Sequence, residues 1–396
     1  MKKLLFSASF ITILVMGINF LFKIYLSYKI DKNELGLFYT FMDVISVGIM
    51  LFSGFKDSLV VAYDNEDFEK IFFWYKRIFW GLVLILMGGE LFYYSKLSFN
   101  YPVYFLILLF LANSYMIYLS YLNAAFKNYK VMLFENLVMS IGLILGYFIF
   151  SFSKYVLFFA FLTSYMGRIL YLKIFGNLRL KEKKASFLEV KNFFKNSLLS
   201  SLMYFFSGLF VSLSAITFLY FYDNKDILSE YHVVVRSIFF SLVAIFVFPL
   251  NTFTFPHISK FIAEGKFYEI LRIEKKLFRY LFIFFILLIF STFFTKFGIE
   301  LVFPISYKES YKMLNLMLPF LPFIAYTTFA LNILKGFNRF DLALIVRIAG
   351  SLTFFMVFYF LFKINVTPNK TLIFSLDSAF FVMFLISFIF RIKVLK

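Results

Sequence analysis

The chain has 396 residues and no cysteine; 62% are hydrophobic, 24% aromatic and 16% charged, with a net charge of +18. Soluble domains hold about 45–50% apolar and about 25% charged residues, so a water-soluble globular protein is excluded, and so are disulfides, thiolate metal sites and cysteine nucleophiles. In so apolar a chain the basic excess is that of cytoplasmic loops rather than of a nucleic-acid binder, and two histidines offer little for a metal site.

The first stretch, MKKLLFSASFITILVMGINFLFKIYLSY, starts on Lys2–Lys3 as a signal peptide would. Its apolar run exceeds the roughly 7–15 residues of a signal core, which predicts a retained first helix. A span needs about 20 apolar residues. Such runs predict twelve helices, near 4–28, 36–62, 77–94, 101–125, 131–151, 155–175, 196–220, 232–255, 278–295, 312–334, 342–362 and 371–391. Helix is the required type, because hydrocarbon leaves backbone groups no partner outside their own helix or a closed barrel, and these runs are too long and continuous for barrel strands.

Loops set the orientation. With the N-terminus inside, and basic residues at span ends counted with the adjoining loops, cytoplasmic segments carry 25 Lys and Arg against 10 outside, which predicts that both termini are cytoplasmic. The basic stretch from Gly176 to Ser197 divides the chain into expected six-helix bundles at 1–175 and 196–396, joined by a linker at 176–195. A second cytoplasmic stretch, His257 to Arg279, has apolar spacing that predicts a helix along the membrane interface. No external loop is long enough to fold by itself. The turns LNAAFKNYK and LNILKGFNRF follow the fourth and tenth spans. Both carry Leu-Asn and then, after a gap, an aromatic-basic turn, as an internal duplication would. No GxxxxGK[ST] loop is present, and the acidic YDNEDFEK reads as a solvated loop.

Ten charges lie within the predicted spans and more than two residues from either end: Lys23, Lys56, Arg168, Arg236, Arg347, Asp43, Asp57, Glu90, Glu135 and Asp377. Each costs about 2.5–3.5 kcal/mol at a helix centre on insertion scales, so most have to face the bundle interior, pair or snorkel. At about 1.5 Å per residue, Lys56, Asp57, Glu135, Arg168 and Arg347 form a cytoplasmic-side tier, and Lys23, Asp43, Glu90, Arg236 and Asp377 an outer one. Arg236 and Arg347 are candidate contacts for a phosphate or pyrophosphate, which a guanidinium grips with a two-point fork. Asp43 and Glu135 are candidates to hold an arginine until the ligand arrives, or to carry H+ or Na+. Asp377 belongs with them as a coupling or ion-pairing acid. Snorkelling by Lys23 and Arg168, and a structural Arg347–Glu135 ion pair, are the plainer alternatives.

In FKIYLSYKIDKNELGLFYTFMDVIS, Leu35-Gly36 opens the second span, and Gly54 in LFSGFKDSLV lies near its inner end. With the turns AAFKNYK and LKGFNRF, the 6+6 layout and the basic linker, these residues resemble the bacterial polysaccharide and O-antigen flippases. These form the Wzx-like branch of the multidrug/oligosaccharidyl-lipid/polysaccharide (MOP) exporter superfamily. The resemblance implies an all-α integral membrane protein of about 12 transmembrane helices in two six-helix bundles, MATE/MOP-like. It implies a non-enzymatic protein of the bacterial inner membrane that flips undecaprenyl-pyrophosphate-linked oligosaccharide repeat units by alternating access. No cofactor is expected beyond H+ or Na+. The expected partners are the lipid-linked oligosaccharide, membrane lipids, and the polymerase and chain-length regulator of the same pathway, with no nucleic acid. Relatives hold the pyrophosphate with basic side chains; Lys23, Lys56 and Arg236 lie on the first, second and eighth spans, where these are expected, and Arg168 and Arg347 complete the candidate basic set. Two other readings stay open: an ion-coupled multidrug exporter of the same superfamily, and a membrane glycan polymerase or ligase.

Overall fold

A computed structural model of the protein describes residues 2–65, 68–97, 99, 101–176, 178, 181–337 and 339–395. Side chains at 2–9, 57, 61, 64–65, 207, 210, 248–256 and 263 are not among those described, so the side chain of Asp57 and the middle of YDNEDFEK, residues 64–67, lie outside the described set. The described residues are almost entirely helical and contain no strand. In chain order the helices are α1 (Lys2–Lys29), α2 (Lys32–Met50), α3 (Ser53–Asn65), α4 (Phe68–Lys96), α5 (Val103–Ala125), α6 (Tyr129–Ile149), α7 (Val156–Gly176) and α8 (Phe187–Tyr222). There follow α9 (Lys225–Ser229), a π-helix (Glu230–Val235), α10 (Arg236–Ala263), α11 (Phe267–Val302), α12 (Ser310–Met317), α13 (Leu321–Gly336), α14 (Phe340–Lys363) and α15 (Pro368–Leu395).

Ten of the described helical segments are long and apolar enough to cross a membrane. The number reaches twelve if Lys32–Met50 with Ser53–Val60, and Phe187–Phe206 with Val211–Tyr222, each count as one span. The chain is thus a multi-pass membrane protein. The second predicted span is interrupted between α2 and α3, and the tenth is built from α12, a 3-10 turn at Leu318–Phe320 and α13. Pro319 and Pro322 explain the second break, since neither supplies the backbone N–H that an uninterrupted helix uses.

The stretch 257–279, expected to form one interfacial helix, is divided between two helices. α10 and α11 run through that region as two long helices joined by the turn Glu264–Lys266. In that turn Lys266 lies 2.7 Å from Glu264 and holds its carboxyl below the usual range. The apolar spacing that suggested contact with lipid is a packing face: Ile258, Ile270 and Leu277 are buried against Tyr326, Phe329 and Ile333.

The chain divides into two compact units. The first comprises Met1–Phe22 and Phe41–Gly208. In it α6 packs along α7, α5 along α7 and α3 along α5, with Phe41 edge-on to Phe99 and Phe158. A Cβ on Gly54 would fall on the backbone of Ser197 and Ser201, so α3 and α8 meet main chain to main chain. The second unit comprises Lys23–Thr40 and Leu209–Lys396. Here α10 packs on α13, and α13 and α14 on α15. Gly36 makes the same kind of close approach, to the carbonyl of Lys225 and the backbone nitrogen of Ser229. Glu274 is buried between Arg391, its ion-pair partner, and the Tyr326 hydroxyl, which donates at 2.6 Å.

The two turns read as a duplication share one hydrogen-bond pattern. Phe126 N donates to Leu122 O and Asn128 N to Asn123 O; Phe337 N donates to Ile333 O and Arg339 N to Leu334 O. The backbone therefore equates Phe126 with Phe337 without a gap, and it sets Leu122 opposite Ile333 rather than Leu331. Repeated Leu-Asn pairs suggested a different register because side-chain identity and turn geometry have drifted apart.

Candidate functional site

The polar centre of the second unit forms around the π-helix. A π turn closes five residues back, as the Arg236 N–H does on Tyr231 O, and such local widenings recur at functional sites. His232, 2% exposed, sits in this turn. Its ring and its carbonyl gather side chains from three helices. Thr40 Oγ1 of α2 lies 3.1 Å from Nε2, and Arg236 Nη1 of α10 lies 3.4 Å from Nδ1. The carbonyl accepts from Ser237 Oγ at 3.0 Å and from Lys23 Nζ of α1 at 3.5 Å. Lys23 also donates to Ser237 Oγ at 2.9 Å and stands 4.9 Å above the Tyr39 ring, a favourable cation–π distance.

Two residues before His232, Glu230 pairs with Lys32 at 2.7 Å, and Lys32 also donates to the Ser306 carbonyl at 2.8 Å. Ser229 and Tyr307 hydroxyls meet at 2.8 Å. These contacts fasten the α1–α2 corner to the start of the π-helix. Two cations thus converge on one buried residue, Arg236 on the His232 ring and Lys23 on its carbonyl, in a setting where fixed charge acts more strongly than in water.

Of the side chains singled out in the sequence, Lys23 and Arg236 are brought together here. Glu135 and Arg168 meet in the first unit, with Oε2 and Nη2 3.0 Å apart and Ser120 Oγ donating to Oε1 at 3.2 Å. Arg347, partly buried on α14, rests against Met383 at 3.9 Å. Glu90 accepts from Gly48 N at 3.0 Å, Asp43 is buried on α2, and Lys56 is half-buried on α3. Asp377 is buried on α15, and neither of its carboxylate oxygens has a hydrogen-bond partner among the described residues. It lines a groove of 360 Å³ with Phe320, Phe323, Phe374, Ser378 and Phe381.

His232, Glu230 and Glu274 were not singled out from sequence. The signal for His232 was available: it precedes Arg236 by four residues, the spacing that puts two side chains on one helix face. Glu274 was hidden by its assignment to a surface helix. Among the described residues no three His, Cys, Asp or Glu side chains cluster as metal ligands would.

No protein-family model and no curated protein sequence matches the chain. Solved structures do. The lipid II flippase MurJ in an inward closed conformation matches with a TM-score of 0.71 at 14% identity, over 98% of this chain and 87% of that one. An inward-facing multidrug-resistance MATE transporter matches with a TM-score of 0.72 at 13% identity, over 95% and 94%. A MOP-superfamily transporter from Pyrococcus furiosus, described as having a binding pocket of reverse polarity, gives 0.65 at 14% identity, over 99% and 96%. The chain therefore shares the all-helical fold of these solved transporters. MurJ and the MATE transporter match equally well, so this likeness defines the fold, and the substrate has to be argued from the site.

Proposed function

We propose that the protein flips undecaprenyl-pyrophosphate-linked oligosaccharide repeat units across the bacterial inner membrane by alternating access, for O-antigen, capsule or a related surface polysaccharide. The convergence of Lys23 and Arg236 on His232 carries this reading. A diphosphate entering a poorly hydrated bundle needs cations already in place, and a guanidinium fork beside an ammonium answers that need. The substrate class of MurJ, a lipid-linked precursor by its name, supports the same direction. Lys56 and Arg347 serve as further basic contacts along the path. Arg168 joins them when Glu135 releases it, and Asp43, Glu135 and Asp377 carry the coupling charge or close ion pairs between turnovers. The bundles 1–175 and 196–396 move as the two halves, both termini lie in the cytoplasm, and the lipid tail stays in the bilayer. A polymerase and a chain-length regulator receive the product. No bond is made or broken.

A strain lacking the protein, with no redundant flippase, is expected to accumulate lipid-linked repeat units on the cytoplasmic face. The wild-type chain should clear them, and Arg236→Ala or Lys23→Ala at equal abundance should not. Normal surface glycan from both variants would defeat the reading.

Asp377 favours a second reading, export of organic cations. A carboxylate among four phenylalanines suits a lipophilic ammonium. Resistance to cationic dyes that depends on the protein and is abolished by Asp377→Asn, with surface glycan unaffected, would select it.

A further inference from the structure

Glu135 holds Arg168, and Glu230 holds Lys32, through carboxylates. Arg236 also donates to a neutral acceptor, the Nδ1 of His232. The proton positions in this contact follow from which groups can accept. Thr40 Oγ1 has one proton and spends it on the Gly36 carbonyl at 2.8 Å, so towards His232 its oxygen can only accept. Nε2 therefore carries the imidazole proton and donates to Thr40 at 3.1 Å. Nδ1 keeps a lone pair, and Arg236, which has no acceptor, donates to it at 3.4 Å.

We propose that His232 is a positioning residue for the anion site, aiming the Arg236 guanidinium through the chain Arg236 Nη1–H to His232 Nδ1, His232 Nε2–H to Thr40 Oγ1, and Thr40 Oγ1–H to Gly36 O. This rests on reading Lys23 and Arg236 as diphosphate contacts. A neutral imidazole fixes the direction of a guanidinium without bringing a negative charge to it, as a carboxylate in its place would. The chain ends on a rigid point, because Gly36 lies directly against the α9 backbone. The carbonyl of His232 accepts from Lys23, so one residue orders both cations. Thr40 is fully buried and His232 nearly so, which keeps water from competing for these bonds.

The test uses the full-length protein in lipid nanodiscs, with inorganic pyrophosphate as the probe. His232→Ala is expected to raise the half-saturating pyrophosphate concentration about tenfold, in keeping with loss of a hydrogen bond to a charged group. His232→Asn, which places an acceptor near Nδ1, should return it to within about threefold of wild type. Thr40→Val should move it in the same direction as His232→Ala, and the double variant should bind no worse than His232→Ala alone, as members of one chain do. A role confined to packing predicts instead that Ala and Asn lower the melting temperature alike and leave pyrophosphate binding unchanged, which would overturn the proposal. Wild-type binding by His232→Ala beside lost binding in Arg236→Ala would remove His232 and leave the anion site standing. Wild-type binding by Arg236→Ala as well would remove both.

Discussion

Arg347 and Glu135 lie six or seven residues into α14 and α6, and a structural ion pair between them was one expectation from their matched depth. Glu135 instead has Arg168 at 3.0 Å, and Arg347 has the sulfur of Met383 at 3.9 Å. All three charges could be picked out from a linear chain because each interrupts an apolar run. Their company could not, since the rotation of α6 against α7 decides it across 33 residues of sequence. Glu135→Ala leaves Arg168 buried without its carboxylate, and breaking such a pair costs about 3–5 kcal/mol. Removing both charges, with Glu135→Leu and Arg168→Met, should cost far less. Thermal unfolding in detergent measures the difference. A double variant that loses as much as Glu135→Leu and Arg168→Met lose separately, added together, would show that the pair contributes nothing.

At the scale of elements, the helices were legible because spans announce themselves by length and hydropathy alone. The interruption at residues 51–52 and the π turn at 230–235 were not, because both are small departures within an apolar run. The stretch 257–279 was misread for a related reason: a periodic apolar face looks the same whether it meets lipid or another helix, and here Tyr326 and Phe329 cover it. Gly36 and Gly54 belong to the family-like pattern of the sequence, and the structure supplies their physical use as points where two backbones touch. Gly54→Ala meets main chain rather than a yielding side chain, so overpacking should cost about 1–3 kcal/mol. The expected result is a lower melting temperature and reduced abundance. An unchanged melting temperature would mean that α3 and α8 separate without penalty.

For the molecule as a whole, the absence of cysteine makes topology directly testable. Lys154 and Lys184 are both exposed, the first in a loop predicted outside and the second in the basic linker predicted inside. In intact cells an impermeant maleimide is expected to label Lys154→Cys, and to label Lys184→Cys only after the membrane is opened. The reverse pattern would invert the orientation. Composition by itself determined that this is a helical membrane protein, roughly how many spans it has and which residues are costly to bury, because hydropathy is a local sum and lipid penalises every unpaired polar group. Tertiary structure alone decided which of those residues meet: Lys23 and Arg236 at His232, Glu135 with Arg168, Glu274 with Arg391. Such meetings depend on how each helix is rotated and on contacts between residues as far apart as Lys23 and Ser237, and no local sum contains that information.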